Sequence, residues 1–181
     1  MPPPTKHALG RKDHRAHPEQ YGPEVQLVVF QLGDEEFGFP VATVKEINRL
    51  LPITRIPRSP HFLEGVINLR GQITAVMDLR KRFHMPDRPR DDDTRIIVLQ
   101  VDELLVGLIV DKVHEVRRIP EASIAPPPPV ILAEMDRHYL TGVGKLDDRL
   151  IIILDAQGLL SKREVELVDQ LEHSGAAPTV H

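Results

Sequence analysis

The sequence contains two related halves, and this internal repeat is the feature that most constrains the fold. The first half contains an apolar run at 28–31, a polar turn and further apolar runs at 37–47. A matching series begins sixty-nine residues later, at Ile97. A second match joins 63–78 to 140–155, at an offset of seventy-seven residues. Because repeated segments fold into repeated units, we expect two pseudo-symmetric halves, the second with a longer central connection.

Each half consists of short runs of β-branched residues that are separated by turn residues, which is typical of small antiparallel sheets. The pair Arg70-Gly71 would close the second hairpin of the first half, with the glycine able to adopt a positive φ. A unit of four or five such strands would leave an apolar edge exposed unless it closes into a barrel. The sequence therefore predicts a mainly β protein with one barrel over about 24–84 and another over about 94–155.

Three segments do not fit this strand pattern. Residues 1–23 hold five of the 17 prolines and few apolar side chains, so they are predicted to form a flexible tail that is not needed for folding. The run Pro126–Pro129 favours an extended connection and excludes a helix there. Residues 173–181 are predicted to be a disordered terminus.

A helix is predicted over 161–172, at the end of the folded body. Ser161 and Glu164 have the spacing of a capping box, which satisfies backbone N–H groups in the first turn of a helix. Apolar residues then recur on one helical face, which indicates packing on the core more often than a partner-binding face. The residues of this face are Val165, Val168 and Leu171.

Composition excludes several functional classes. The chain has 23 Lys and Arg against 27 Asp and Glu, a net charge of −4, and only 4% aromatic residues, which argues against nucleic-acid binding. It has no cysteine, so disulfides, thiol catalysis and cysteine-ligated zinc are excluded. No apolar run approaches the roughly 20 residues that span a bilayer. We therefore expect a cytoplasmic protein without direct membrane insertion.

No motif supplies the chemistry of an enzyme. Phosphate-binding loops, His-Glu-x-x-His zinc helices and Gly-x-Ser-x-Gly elbows are absent from the sequence. The Gly-Val-Gly run at 142–144 begins like a dinucleotide fingerprint, but Asp147 stands where its last glycine would be. The aspartates at 91–93 lack the alternating spacing of a calcium loop. We therefore expect a non-enzymatic protein without catalytic residues, cofactor or metal.

Two charged residues within otherwise apolar strands are candidates for partner binding. Arg70, at a hairpin tip, would have a fixed backbone and a free guanidinium that could bind a partner carboxylate through two hydrogen bonds. Glu46 lies between Val44 and Ile47 near the end of a strand. The alternatives are that Arg70 belongs to a solvated turn and that Glu46 is an exposed residue of an alternating strand.

These residues occur in stretches that resemble the CheW family of chemotaxis coupling proteins. The most specific is Gly-Val-Ile-Asn-Leu-Arg-Gly-Gln-Ile at 65–73, and the resemblance covers about 24–160. It implies a fold of two SH3-like, five-stranded barrels packed together, which would account for the repeat. Other matching stretches lie at 29–38, 44–47, 76–79, 106–111 and 139–142.

The resemblance implies an adaptor that links the cytoplasmic tip of methyl-accepting chemoreceptors to the CheA histidine kinase. The kinase's own regulatory domain is similar to CheW, so the two proteins would alternate in rings, with other CheW-like subunits as further members. The protein would be recruited from the cytoplasm to membrane-associated receptor arrays. An alternative within the same class is a scaffold of another chemosensory pathway, controlling pili or a second messenger. A remote alternative is a small-barrel nucleic-acid-binding protein.

Family positions carried over to this sequence give two groups of contact residues. Val44 borders both groups, and Met77 stands where the family more often has a β-branched residue. The resemblance assigns receptor contact to Glu46, Gly65, Asn68 and Arg70, and kinase contact to Val41, Val44 and Val113.

Overall fold

A computed structural model describes residues 22–135 and 137–173. The fold is mainly β, with two sheets and a C-terminal helix, which confirms the predicted class. The strands are β1 (Glu24–Leu32), β2 (Glu35–Pro40), β3 (Val44–Arg49), β4 (Leu63–Leu69), β5 (Gln72–Asp78), β6 (Arg95–Val101), β7 (Leu104–Val110), β8 (Lys112–Pro120), β9 (Ile124–Ala125), β10 (Leu140–Leu146) and β11 (Arg149–Leu154). The described α-helices are α1 (Leu79–Arg82), α2 (Pro129–Glu134) and α3 (Lys162–His173).

The strands form two sheets with the same internal order. Sheet A has the order β8–β1–β2–β11–β10–β9, and sheet B has the order β3–β6–β7–β5–β4. Neighbouring strands are antiparallel, except that β2 with β11 and β5 with β7 are parallel. The sequence repeat relates β1 to β6, β2 to β7, β3 to β8, β4 to β10 and β5 to β11. Under this relation the two orders coincide, apart from the short β9.

The structure corrects the expected division into consecutive barrels over 24–84 and 94–155. The β1–β2 hairpin lies in sheet A among strands of the second half, and the β6–β7 hairpin lies in sheet B among strands of the first half. The two halves therefore exchange their first hairpins. The physical reason is that β1 and β6 carry consecutive buried residues, Leu27–Phe30 and Ile96–Leu99, which need cover on both faces.

Side chains of the exchanged hairpins alternate between two different cores. Val29 belongs to a buried cluster within sheet A, and Val98 belongs to a corresponding cluster within sheet B. Phe30 and Leu99, the next residues along, belong to the large cluster between the sheets. Each smaller cluster draws its buried residues from a single sheet, so each sheet curls around its own core, as in a small barrel.

A largely buried ion pair ties a turn of sheet A to sheet B. Asp111, between β7 and β8, accepts hydrogen bonds from the Arg80 guanidinium at 2.8 and 2.5 Å and from the Gly33 N–H at 2.8 Å. Burial acts to raise the pKa of the Asp111 carboxyl, but the bonds from Arg80 and Gly33 outweigh it. The pKa therefore lies below its ordinary value, and the carboxylate stays charged between the sheets.

The α3 helix begins with the predicted capping box and packs on the core. The Glu164 N–H donates to the Ser161 hydroxyl at 3.2 Å, and the Ser161 N–H donates to the Glu164 carboxylate at 2.9 Å. Val168 is fully buried, while Val165 and Leu171 are partly buried against the central core. The expectation that this apolar face packs on the body is confirmed.

The connecting segments differ from two sequence expectations. Pro129 occupies the first turn of α2, where its missing N–H is not needed, so the four-proline run leads into a helix. The Pro23 carbonyl accepts a hydrogen bond from the Glu121 N–H at 3.0 Å, so this end of the expected tail is attached to the body. Residues 1–21 and 174–181 lie outside the described residues. Within the described ranges, no helix has the length and apolar content needed to cross a bilayer.

The last turn of α3 holds a carboxyl group against sheet B. Glu172 accepts a hydrogen bond from the Ala75 N–H of β5 at 3.0 Å. His173, which the sequence placed in the disordered terminus, completes the helix. Burial raises the pKa of Glu172 to about 7, against smaller lowering effects of the Ala75 hydrogen bond and the His173 charge.

We predict that Glu172→Gln raises thermal stability at pH 8 but not at pH 5. Folding raises the pKa of Glu172 above its ordinary value of 4.5. The stability that the folded state gains by holding this proton is therefore complete below pH 4.5 and is lost as the pH rises through about 7. Glutamine keeps the acceptor without the charge. After allowance for solvent screening, the gain at pH 8 is about 1 kcal/mol, or about 2–4 °C.

Thermal unfolding at the two pH values measures this difference. Glu166→Gln, on the exposed face of the same helix, is the matched control. Equal shifts at pH 5 and pH 8, or equal behaviour of the two variants, would contradict the prediction.

Candidate functional site

The β4–β5 hairpin ends in a two-residue turn at the edge of sheet B. Leu69 pairs with Gln72, and the residues between them, Arg70 (φ 51°) and Gly71 (φ 85°), both have left-handed backbone. This is the tight turn that matches the natural twist of a hairpin. The Asn68 side chain accepts a hydrogen bond from the Gly71 N–H at 2.7 Å, which fixes the turn from one side.

Arg70 forms an ion pair, whereas the sequence suggested a free side chain. Its guanidinium donates to Glu46 Oε2 at 2.6 Å, and the Asn48 amide donates to Glu46 Oε1 at 2.7 Å. The Arg70 side chain is 78% exposed, but that of Glu46 is only 21% exposed. Glu46 is therefore a half-buried anchor, and the guanidinium it holds is presented to solvent.

The Arg70–Glu46 pair joins opposite edges of sheet B. Strand β3, which carries Glu46, is the first strand in the sheet order, and β4, which leads to Arg70, is the last. A contact between these edges requires the sheet to curl. The corresponding positions of the second half hold Asp147 and Glu115, so two acidic residues stand where the first half has an ion pair. The β4–β5 hairpin therefore has an arginine at its tip where the β10–β11 hairpin has an aspartate, and the arginine of the second hairpin, Arg149, lies at the start of β11 and pairs with Glu36 of the neighbouring strand at 3.0 Å.

Gly65 is buried within β4 and is not exposed beside the hairpin tip. Its φ is 155°, and a Cβ at this position would lie 2.3 Å from the Thr54 carbonyl oxygen. Thr54 and Val66 exchange two backbone hydrogen bonds of 2.9 Å, which hold the β3–β4 connection against the strand. This close approach accounts for the glycine, and a contact between Gly65 and a receptor stays a prediction.

The three valines expected to contact the kinase are half-buried and lie in two places. Val41 is in the 3-10 turn that joins β2 to β3, and Val44 begins β3 opposite Leu99. Val113 lies in β8 opposite Phe30, which is the related position in sheet A. Val44 and Val113 both pack against the central core. The structure thus brings Val41 and Val44 into one segment and places Val113 in the other sheet.

Sequence reasoning missed two exposed apolar side chains beside Glu46. Ile47 is 40% exposed and Leu50 is 38% exposed. Along β3 the half-buried residues are Val44, Glu46 and Asn48, so Ile47 lies on the outer face. The period of two in a strand could have revealed this inversion, because Glu46 shares the phase of Val44. The face of β3 opposite the one that carries Glu46 is therefore partly apolar.

Other charges near β4 are neutralised internally. Glu64 is buried and accepts a hydrogen bond from Lys81 at 2.8 Å, with Arg90 3.0 Å away. Burial acts to raise the pKa of Glu64, but the interactions with Lys81 and Arg90 outweigh it and the pKa lies below its ordinary value. Among residues 22–135 and 137–173, no group of three or more His, Asp or Glu side chains is arranged to hold a metal ion.

We predict that Gly65→Ala destabilises the protein more than Gly71→Ala. The Cβ at position 65 meets the Thr54 carbonyl, so the backbone must move, at a cost of about 2–4 kcal/mol. At position 71 a Cβ meets nothing within 4 Å, and the cost is about 1 kcal/mol from the positive φ alone. Urea unfolding of both variants measures the difference, and equal losses of stability would contradict this account of Gly65.

Comparison with known proteins gives consistent matches over the described fold. A family profile described as the CheW-like domain matches residues 26–164. The chemotaxis protein CheW of Klebsiella aerogenes is 38% identical over 149 residues, covering 82% of this chain and 89% of the relative. Protein FrzA of Myxococcus xanthus is 35% identical over 114 residues, covering 63% of this chain and 71% of the relative.

A solved structure supports the same assignment. The crystal structure of the scaffolding protein TtCheW from Thermoanaerobacter tengcongensis matches with a TM-score of 0.72 and 42% identity, covering 78% of this chain and 97% of that chain. The profile match includes both exchanged hairpins, apart from the first two residues of β1, and all seven candidate contact residues. Membership of a scaffold family also confirms the prediction of a non-enzymatic protein. The chain belongs to the CheW family of chemotaxis scaffold proteins.

Proposed function

We propose that this protein is an adaptor that couples the cytoplasmic tip of methyl-accepting chemoreceptors to a CheA-type histidine kinase. The observation that carries the proposal is a 78% exposed guanidinium at the tip of the β4–β5 hairpin, held by a half-buried carboxylate of the opposite edge strand, where the related tip has Asp147. Glu46, Asn68 and Arg70 form the receptor-contacting surface, with Gly65 supporting it, and Val41, Val44 and Val113 contact the regulatory domain of the kinase.

Arg70 is suited to recognise a carboxylate on the receptor. A guanidinium has five N–H donors in a rigid plane, and the bond to Glu46 uses one of them. The remaining donors can bind a partner carboxylate through two parallel hydrogen bonds. Because Glu46 already positions the guanidinium and Asn68 fixes the turn, less conformational freedom is lost when the receptor binds.

The same pair contributes little to folding, so binding and stability are separable. An ion pair with one partner 78% exposed contributes about 0–1 kcal/mol to stability, because water and salt screen it. The loss of such a group from a desolvated interface costs about 2–5 kcal/mol of binding energy. A variant at Arg70 should therefore affect receptor binding far more than it affects the fold.

The adaptor would act in the cytoplasm and be recruited to membrane-associated arrays through the receptor tip. There it would alternate with the CheW-like regulatory domain of the kinase in rings, together with further CheW-like subunits. The related strand orders of sheets A and B support this arrangement, because a protein with two similar ends can offer one to each neighbour in a closed ring.

A second candidate of the same class is a scaffold of a non-flagellar chemosensory pathway that controls pili or a second messenger. The similarity to FrzA supports this second candidate, because this relative has a name other than CheW. Co-sedimentation with the receptors and kinase of each pathway from the same organism distinguishes the two candidates. The pathway whose components bring the protein into the pellet is the one it serves.

We predict that Arg70→Ala folds normally but binds a receptor-tip fragment at least about tenfold more weakly. Its thermal midpoint should stay within about 2 °C of the wild type, since the pair is exposed. Arg149→Ala is the matched control, because Arg149 is also an exposed arginine at a hairpin, ion-paired with Glu36 at 3.0 Å in sheet A. Equal effects of the two substitutions on receptor affinity would refute the assigned role of Arg70.

We predict that Val41→Asp impairs binding of the kinase regulatory domain and leaves receptor binding intact. Val41 is half-buried in the β2–β3 turn, and association would have to desolvate the new charge without a partner. Val130→Asp is the control, because Val130 is a 72% exposed valine on α2. Calorimetric titration with each partner measures both affinities. Unchanged kinase affinity in Val41→Asp, with the fold intact, would remove Val41 from the kinase surface.

A further inference from the structure

A groove of about 410 Å³ separates α3 from the connection between β3 and β4. The lining of the groove is mostly apolar. One wall is formed by residues of α3 that follow residue 164, the last residue matched by the family profile. The connection contributes Ile56 and Phe62, the start of β4 contributes Leu63, and α3 contributes Leu167, Val168 and Leu171.

The floor of the groove is part of the core, and its rim is open. Val168 is fully buried, and Ile56 and Phe62 are each 8% exposed. Leu167, on the side of α3, is 37% exposed. A bound apolar side chain would therefore contact buried atoms below and cover an exposed leucine at the rim, which is the environment that favours an anchor residue.

Both ends of α3 are fixed, so the groove is preformed. At the start of the helix, the Arg82 guanidinium makes hydrogen bonds of 2.8 and 2.5 Å to Glu164 and lies 5.1 Å from the centre of the Phe62 ring. At its end, Glu172 accepts the hydrogen bond from Ala75. The Arg82 contacts join the two walls and the Glu172 bond holds α3 on sheet B, so binding need not first order the helix.

The charge at the rim is positive. Arg58 lines the groove, has a left-handed backbone (φ 61°), and makes no ion pair within the described part of the chain. Next to it, Arg55 lines the neighbouring depression, with a side chain that is 84% exposed and 3.9 Å from the Glu64 carboxylate. The acidic residue of this depression, Glu64, is buried and already paired with Lys81. The rim therefore offers two exposed guanidinium groups, those of Arg58 and Arg55, and the one carboxylate that lines the groove or the neighbouring depression, Glu64, is buried.

We propose that this groove binds an amphipathic helix of a partner protein, with apolar residues in the groove and acidic residues against Arg58 and Arg55. A helix places apolar side chains at i, i+3, i+4 and i+7 along one stripe, which fits a cleft between a helix and a chain segment. The positive rim selects acidic residues along one edge of that stripe. This surface is distinct from the Arg70 hairpin and adds a further docking function to the proposed adaptor.

The probe is a fluorescent synthetic helix of about 14 residues, four turns, with leucines on one stripe and glutamates along its edge. A second peptide has lysine at every glutamate position. The full chain should bind the glutamate peptide at least about tenfold more tightly than the lysine peptide. Leu167→Ser should weaken binding about tenfold, and Arg58→Glu should reverse the preference between the peptides.

Leu150→Ser and Arg149→Glu are the matched controls, because both residues are exposed in sheet A, away from α3. They should bind the glutamate peptide as the wild type does. Leu167→Ser should also keep its affinity for the receptor-tip fragment, so failure of this proposal would leave the proposed adaptor function standing. Loss of receptor affinity in Arg70→Ala is measured separately.

Three results would overturn the proposal. The first is equal binding of the glutamate peptide to the wild type and Leu167→Ser. The second is a dimer of the full chain, seen by sedimentation, that Leu167→Ser dissociates, since the occupant would then be a second copy. The third is binding that occurs only after removal of 174–181, since the chain's own terminus would then be the occupant.

Discussion

The exchange of two apolar hairpins between the halves of the chain is the constraint on which the rest of the structure depends. The β1–β2 and β6–β7 hairpins are buried on both faces, one towards the core of their sheet and one towards the central core. Their parallel pairings with β11 and β5 complete the sheets. Neither half can therefore bury its apolar surface alone, and we expect the described fold to unfold as one cooperative unit.

A nearly symmetric frame supports an asymmetric surface. The two related hairpins occupy equivalent places, but one presents Arg70 held by Glu46 and the other presents Asp147. Curling of sheet B brings its edge strands together and thereby positions the guanidinium. A charge that is positioned before binding gives an interface specificity.

Local features of the fold could be predicted from the sequence, and long-range pairings could not. The tight turn at Arg70-Gly71 and the capping box at Ser161 depend on residues close in the chain, and the repeat can be read directly from the matching runs; the structure contains all three. Hairpin exchange was missed because a period of two identifies a strand without identifying its neighbours. The Arg70–Glu46 pair and the bonds of Asp111 were missed because they join residues far apart in sequence.

The central claim is that the β4–β5 hairpin binds the receptor and that the related β10–β11 hairpin does not. The second hairpin is therefore an internal control. Amide spectra of the ¹⁵N-labelled protein, recorded during titration with a receptor-tip fragment, test this claim most directly. We predict changes at 46–48 and 68–71, and none at the related positions 115–117 and 145–148. Changes confined to the second hairpin, or equal at both, would contradict the account.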